Sequence, residues 1–95
     1  DKRAAGVMMI PIPQAGMLRA VHGVNLAEAV HGITGVEITV KPNNQLVPLP
    51  EGASYLGFIF GRGNTPNEVE EAIRQAHHCL RFEIKREIPV LNGLK

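Results

Sequence analysis

A helix whose starting point is fixed by local chemistry constrains this chain more than any other feature. Thr65-Pro66-Asn67-Glu68 supplies a hydroxyl at the N-cap, a proline at the first helical position and a glutamate at the third. The threonine oxygen can accept from a backbone N–H that has no partner inside the helix, and the proline has no N–H to leave unpaired. The spacing predicts a helix from about Pro66 to Leu80. Val69, Ala72, Ile73, Ala76 and Leu80 fall on one stripe, while Glu68, Glu70, Glu71, Arg74, Gln75 and His78 are left for water. Such a helix is marginal by itself and needs an apolar surface to lie on.

The rest of the chain reads as the strands that supply this surface. Gly6 to Pro13 is a continuous apolar run, expected to be a strand buried on both faces and to end, or reach a sheet edge, at Pro11. After the turn at Gln14-Ala15-Gly16, Met17 to His22 reads as a second strand, forming a hairpin with the first. Asn25 to Gly32 reads as a two-turn helix with Asn25 as N-cap, Glu28 closing a capping box and Gly32 as the stop. Val36 to Lys41 alternates apolar and polar residues, as a half-buried strand does. Leu46 to Pro50 is extended because of its prolines. Tyr55 to Phe60 is a further strand, in which Gly57 marks a bulge or a close backbone approach. Phe82 to Ile88 is a candidate last strand, and Asn92 to Lys95 reads as a frayed tail.

The expectation is an α+β fold in one domain over residues 1–95. It has a small antiparallel sheet with one long and one short helix, mainly on one face. A chain of this size can bury about two-thirds of its unfolded surface.

Composition excludes several functions. Ten basic and nine acidic residues leave a net charge of +1, too little to attract nucleic acid or an anionic membrane. The one basic cluster, Arg81, Lys85 and Arg86, is diluted by Glu83 and Glu87. The aromatics are Tyr55, Phe58, Phe60 and Phe82, too few for a base-stacking platform. No apolar run reaches the ~20 residues of a membrane span, and no signal peptide is visible. Cys79 is the single cysteine, so no internal disulfide forms, and a cytoplasmic setting is expected. The first residue is Asp1 rather than Met, as expected of a fragment of a longer protein.

Catalytic chemistry is hard to assemble from these residues. His77-His78-Cys79 are consecutive, so on a helix they diverge by about 100° each and cannot converge on one ion. His22 and His31 lie on different elements. Cys79 sits near a helix C-terminus, where the dipole disfavours a thiolate. Asp1 is the only aspartate, and Glu37 and Glu51 stand alone, so no acid–base pair forms. The one candidate binding segment is Gly61-Arg62-Gly63-Asn64, where glycines precede a helix N-terminus and could cradle an anion. Its spacing matches no phosphate-loop motif, and a tight β-to-α turn explains it as well.

Several blocks carry a family likeness. They are Ala4-Ala5-Gly6-Val7, Gly16-Met17-Leu18-Arg19, Gly32-Ile33-Thr34-Gly35-Val36 and Tyr55-Leu56-Gly57-Phe58-Ile59-Phe60-Gly61-Arg62-Gly63. The helix start Thr65-Pro66-Asn67-Glu68-Val69-Glu70-Glu71-Ala72 follows and is the most specific. From Ala4 to about Phe82 the chain resembles the small C-terminal domain of ATP-grasp ligases, of the biotin carboxylase and L-amino-acid ligase types. The resemblance implies that ATP and magnesium belong to preceding ATP-grasp domains of the same polypeptide. This domain would then hold no cofactor and no catalytic residue, and would close the active-site cleft and shape the acceptor pocket. In biotin carboxylases an arginine follows the central Gly-Val and a lysine follows the later glycine. Here Glu37 and Phe58 stand there, which favours a carboxylate–amine ligase as parent.

Two other readings fit. Without its second strand the order is β-α-β-β-α-β, the ferredoxin-like order of modules that bind small regulatory molecules. Alternatively Met8, Met9 and Met17 form the contact surface of a plain interaction domain. As a domain of a larger ligase, the chain by itself is expected to expose an apolar patch and to self-associate through the Met8 to Pro13 strand or its neighbours.

Overall fold

The computed structural model describes residues 3–47 and 55–86. In chain order the elements are β1 (Ala4–Ile10), β2 (Gly16–His22), α1 (Val24–Glu28), β3 (Ile33–Ile38), β4 (Gln45–Leu46), β5 (Gly57–Gly63), α2 (Pro66–Cys79) and β6 (Arg81–Lys85). The α+β class, the antiparallel pairing and the long and short helices agree with the sequence.

The strands divide between two three-stranded sheets, ordered β1-β5-β3 and β4-β2-β6. β1 and β2 therefore form no hairpin. β1 pairs with β5 from Ala4 opposite Gly63 to Ile10 opposite Gly57, and β2 pairs with β6 and β4. The segment between β1 and β2 carries two prolines, Pro11 and Pro13, and buries Ile12, so it passes from one sheet to the other instead of reversing. This split also replaces the single sheet that a ferredoxin-like arrangement requires.

α2 begins as its sequence dictates. Thr65 is extended and its hydroxyl accepts from the Glu68 N–H at 3.2 Å, with Pro66 at the first helical position. Val69, Ala72, Ile73 and Ala76 are buried. The helix lies on β5 and β1, where three positions lack side chains. A Cβ at Gly6 would lie 3.0 Å from Val69, at Gly61 3.2 Å from Ile73 and at Gly63 3.2 Å from Glu68, so the helix packs close to the backbone of the sheet. The core also takes in Ile10, Ile12, Leu18, Ala27, Leu46, Leu56 and Ile59, which links the two sheets.

α1 departs from its expected cap. Gly23, with φ of 89°, is the N-cap, and Asn25 lies inside the helix without capping it. β2 ends against the C-terminus of α2, where only a residue lacking a Cβ fits. The Gly23 carbonyl accepts the first helical bond from the Ala27 N–H at 2.9 Å. The helix ends at Glu28, and Gly32, with φ of 97°, belongs to the turn that leads into β3. β3 starts at Ile33, three residues before the alternation suggested.

Gly57 marks a close approach, since a Cβ there would overlap the Glu37 carbonyl oxygen. The register shifts lie elsewhere, between Ile33 and Gly35 and between Leu18 and Ala20. Of the extended segment Leu46–Pro50, Leu46 closes β4 and Val47 follows, while Pro48 to Pro50 lie outside the described residues. Asp1, Glu51, Glu87, Ile88 and the tail Asn92 to Lys95 lie outside them too.

Candidate functional site

Both helices lie on one side of the first sheet, and among the described residues no element covers its other side. On β1 the burial alternates, with Ala5, Val7 and Met9 outward and Gly6, Met8 and Ile10 toward the core. The run expected to be buried on both faces is thus covered on one, because no second layer lies over it among the described residues. Val7 is 55% exposed and Met9 52%. They stand opposite Phe60, itself 38% exposed, and Phe58. The two phenyl rings lie 6.4 Å apart between centroids and tilt by 30°, so they form one continuous surface with Val7 and Met9. Arg62 and Glu37 flank it on the same face. The apolar run of β1 signals this face in the sequence. The contribution of Phe58 and Phe60 is legible only in the alternation of β5.

A second feature lies along the outer edge of β1. A groove of about 800 Å³ runs between that edge and α2. Gly6, Val69 and Ile73 line its floor, and Glu70, Arg74 and His77 line its helical wall. Glu70, Arg74 and His77 recur at i, i+4 and i+7, a stripe that sequence inspection could have found. Arg74 also bonds Glu71 on its own helix at 2.7 Å. His77 is half-buried. Burial holds its pKa below the usual histidine value, and the neighbouring His78 adds to the lowering.

The candidate anion segment is arranged differently from a glycine loop. Gly61, Arg62 and Gly63 continue β5, with Gly61 and Gly63 buried beneath α2 and Arg62 facing the outer side. The Asn64 N–H donates to Glu68 Oε1 at 2.9 Å. The capping hydroxyl of Thr65 and the carboxylate of Glu68 thus each take one backbone donor at the start of α2.

The histidines are dispersed. His22 Nε2 lies 3.1 Å from Glu83 Oε1 across the β2–β6 pair, His31 is in the turn before β3, and His78 faces outward. Among the described residues no three of His, Cys, Asp and Glu gather where they could hold a metal ion. Cys79 is partly buried at the end of α2. No helix among the described residues is long and apolar enough to cross a membrane.

A family model described as L-amino acid ligase C-terminal domain 2 matches residues 8–85. The crystal structure of L-amino acid ligase from Bacillus licheniformis superposes with a TM-score of 0.73 at 21% identity. The match covers 86% of this chain and 20% of that one, so the chain spans about one fifth of the length of the ligase. No curated protein matches.

Proposed function

The chain belongs to the L-amino acid ligase C-terminal domain 2 family, and on that premise we propose that it serves as the C-terminal subdomain of an ATP-dependent carboxylate–amine ligase. In this reading the bare face of the first sheet docks on the other domains of the same polypeptide. It closes one side of the active-site cleft and helps to shape the pocket for the acceptor amine. ATP and magnesium would be held by those other domains, and the setting would be cytoplasmic.

The observation that carries the reading is the face made by Val7, Met9, Phe58 and Phe60 in a domain spanning one fifth of a solved ligase. A sheet side this apolar is costly to leave in water, and the other domains of a ligase polypeptide would cover it. The contribution of this side to catalysis is exclusion of water. ATP-driven joining of a carboxylate to an amine must keep water from the activated carboxylate, and a dry wall beside the cleft does so.

The test is Phe60→Asp in the polypeptide that carries this domain, assayed with ATP, magnesium and amino acids. Expected is a fall in amide product relative to ADP formed, because water enters where the wall is breached. The chain of residues 1–95 by itself should release no phosphate from ATP. Unchanged coupling in the Phe60→Asp protein, or magnesium-dependent ATP hydrolysis by the isolated chain, would overturn the proposal.

A further inference from the structure

We propose that β1 is the pairing edge of a symmetric dimer, in which two copies of this chain join β1 to β1 antiparallel about a two-fold axis near Gly6. The two first sheets then become one sheet of six strands. The inference uses the edge of β1 and the groove beside it, not the bare face, and stands apart from the ligase role.

The first argument is the state of the edges. An edge strand offers unpaired N–H and C=O groups, and proteins blunt such edges with charge, proline, bulges or short length. β3, at the opposite edge of the same sheet, carries Glu37 and a register shift between Ile33 and Gly35. In the second sheet β4 has two residues, and β6 alternates Arg81, Glu83 and Lys85 with its apolar side chains. β1 has none of these devices. It is seven residues long, has neither charge nor proline, and pairs with β5 without a break in register.

The second argument is that the groove beside this edge is complementary to itself. α2 runs along β1 with Val69 and Ile73 over Gly6. A two-fold axis near Gly6 therefore passes close to the middle of the segment from Val69 to Ile73, and the two helices run antiparallel over the joined sheet. Glu70 then comes opposite Arg74 of the partner subunit, and the symmetry repeats the pair. Both side chains line the groove. Opposite charges on the two sides of such a centre favour a second copy over an unrelated strand, which would need its own matching charges.

Sedimentation equilibrium of the chain of residues 1–95 across a range of concentrations tests this. A monomer–dimer equilibrium is expected. E70R and R74E should each weaken it roughly tenfold by setting like charges together twice, and E70R combined with R74E should restore it. Circular dichroism confirms that each variant keeps its helix, and Glu70→Gln with Arg74→Gln is the milder pair if a reversal unfolds the chain. A strict monomer at high concentration overturns the proposal, as does a dimer indifferent to both reversals. A dimer lost on Phe60→Asp alone also overturns it, because the copies would then meet through the bare face.

Discussion

Gly23 lies so close to the carbonyl oxygen of Cys79 that no Cβ fits between them. The start of α1 is thereby locked against the end of α2, and φ of 89° at Gly23 adds a second reason for glycine. Gly23→Ala is expected to cost at least about 2 kcal/mol, combining left-handed strain with backbone overlap. Gly35→Ala is the contrast. Its nearest neighbour would be a ring carbon of Phe60 at 3.7 Å, ordinary contact, so the change should stay within about 1 kcal/mol. Urea melts of the two variants, compared with the parent chain, decide the matter.

The start of α2 offers a pair of coupled hydrogen bonds. Thr65→Ala removes the acceptor for the Glu68 N–H and should destabilise by about 1 kcal/mol. Glu68→Ala frees the Asn64 N–H and removes a favourable charge near the helix N-terminus, at a cost of roughly 0.5 kcal/mol. A double-mutant cycle in urea should show the two costs falling short of additive, since both bonds depend on the same first turn.

Ile73 reaches under Gly6 and Gly61, where the helix lies nearest the sheet. Ile73→Ala should cost roughly 2–5 kcal/mol, because neighbours already packed against backbone have little room to collapse into the cavity. Gln75→Ala, on the exposed side of the same helix, should change stability by no more than about 0.5 kcal/mol. Comparable effects at the two sites would show that the buried face of α2 is misplaced.

Acid should weaken the fold through His77. In the unfolded chain this imidazole takes a proton near its ordinary pKa of 6.5, whereas in the folded chain burial, aided by His78, keeps it neutral to lower pH. Between the two values the unfolded state binds more protons, so stability rises with pH there. The contribution is complete above 6.5 and declines as pH falls through that value toward the lower folded pKa. Urea melts between about pH 7.5 and 5 should show this slope in the parent chain. His77→Gln should lose the part due to this residue.

The sequence made some of this architecture legible and hid the rest for identifiable reasons. α2 was legible almost to the residue, because Thr65, Pro66 and Glu68 act on backbone groups within one turn. The class and the antiparallel pairing also followed from strand spacing. The sheet to which each strand belongs did not, because that choice rests on pairings such as Val21 with Phe82, set by contacts far apart in the chain. Periodicity could not show which side of Val7-Met8-Met9 faces water, because apolar residues occupy both sides and only the position of α2 distinguishes them. Asn25 looked like a cap by local preference, and the packing of Gly23 on Cys79 overrode it. The groove beside β1 was hidden for the same reason, since an edge exists only once strand order is known.

The pairing of β2 with β6 also sets an order of assembly during synthesis. Every strand of the first sheet lies between residues 4 and 63, so its pairings can form as soon as β5 has left the ribosome. β2 is made early, yet its main partner is Arg81–Lys85, beyond α2. Until those residues emerge, β2 has only the two-residue β4 beside it. A nascent chain stalled when the residues up to Cys79, but not β6, have emerged from the ribosome should therefore protect the β1–β5 amides from hydrogen exchange while those of β2 stay open. A protease present at that stage would find its cleavage sites in β2, the strand that waits longest for its neighbour.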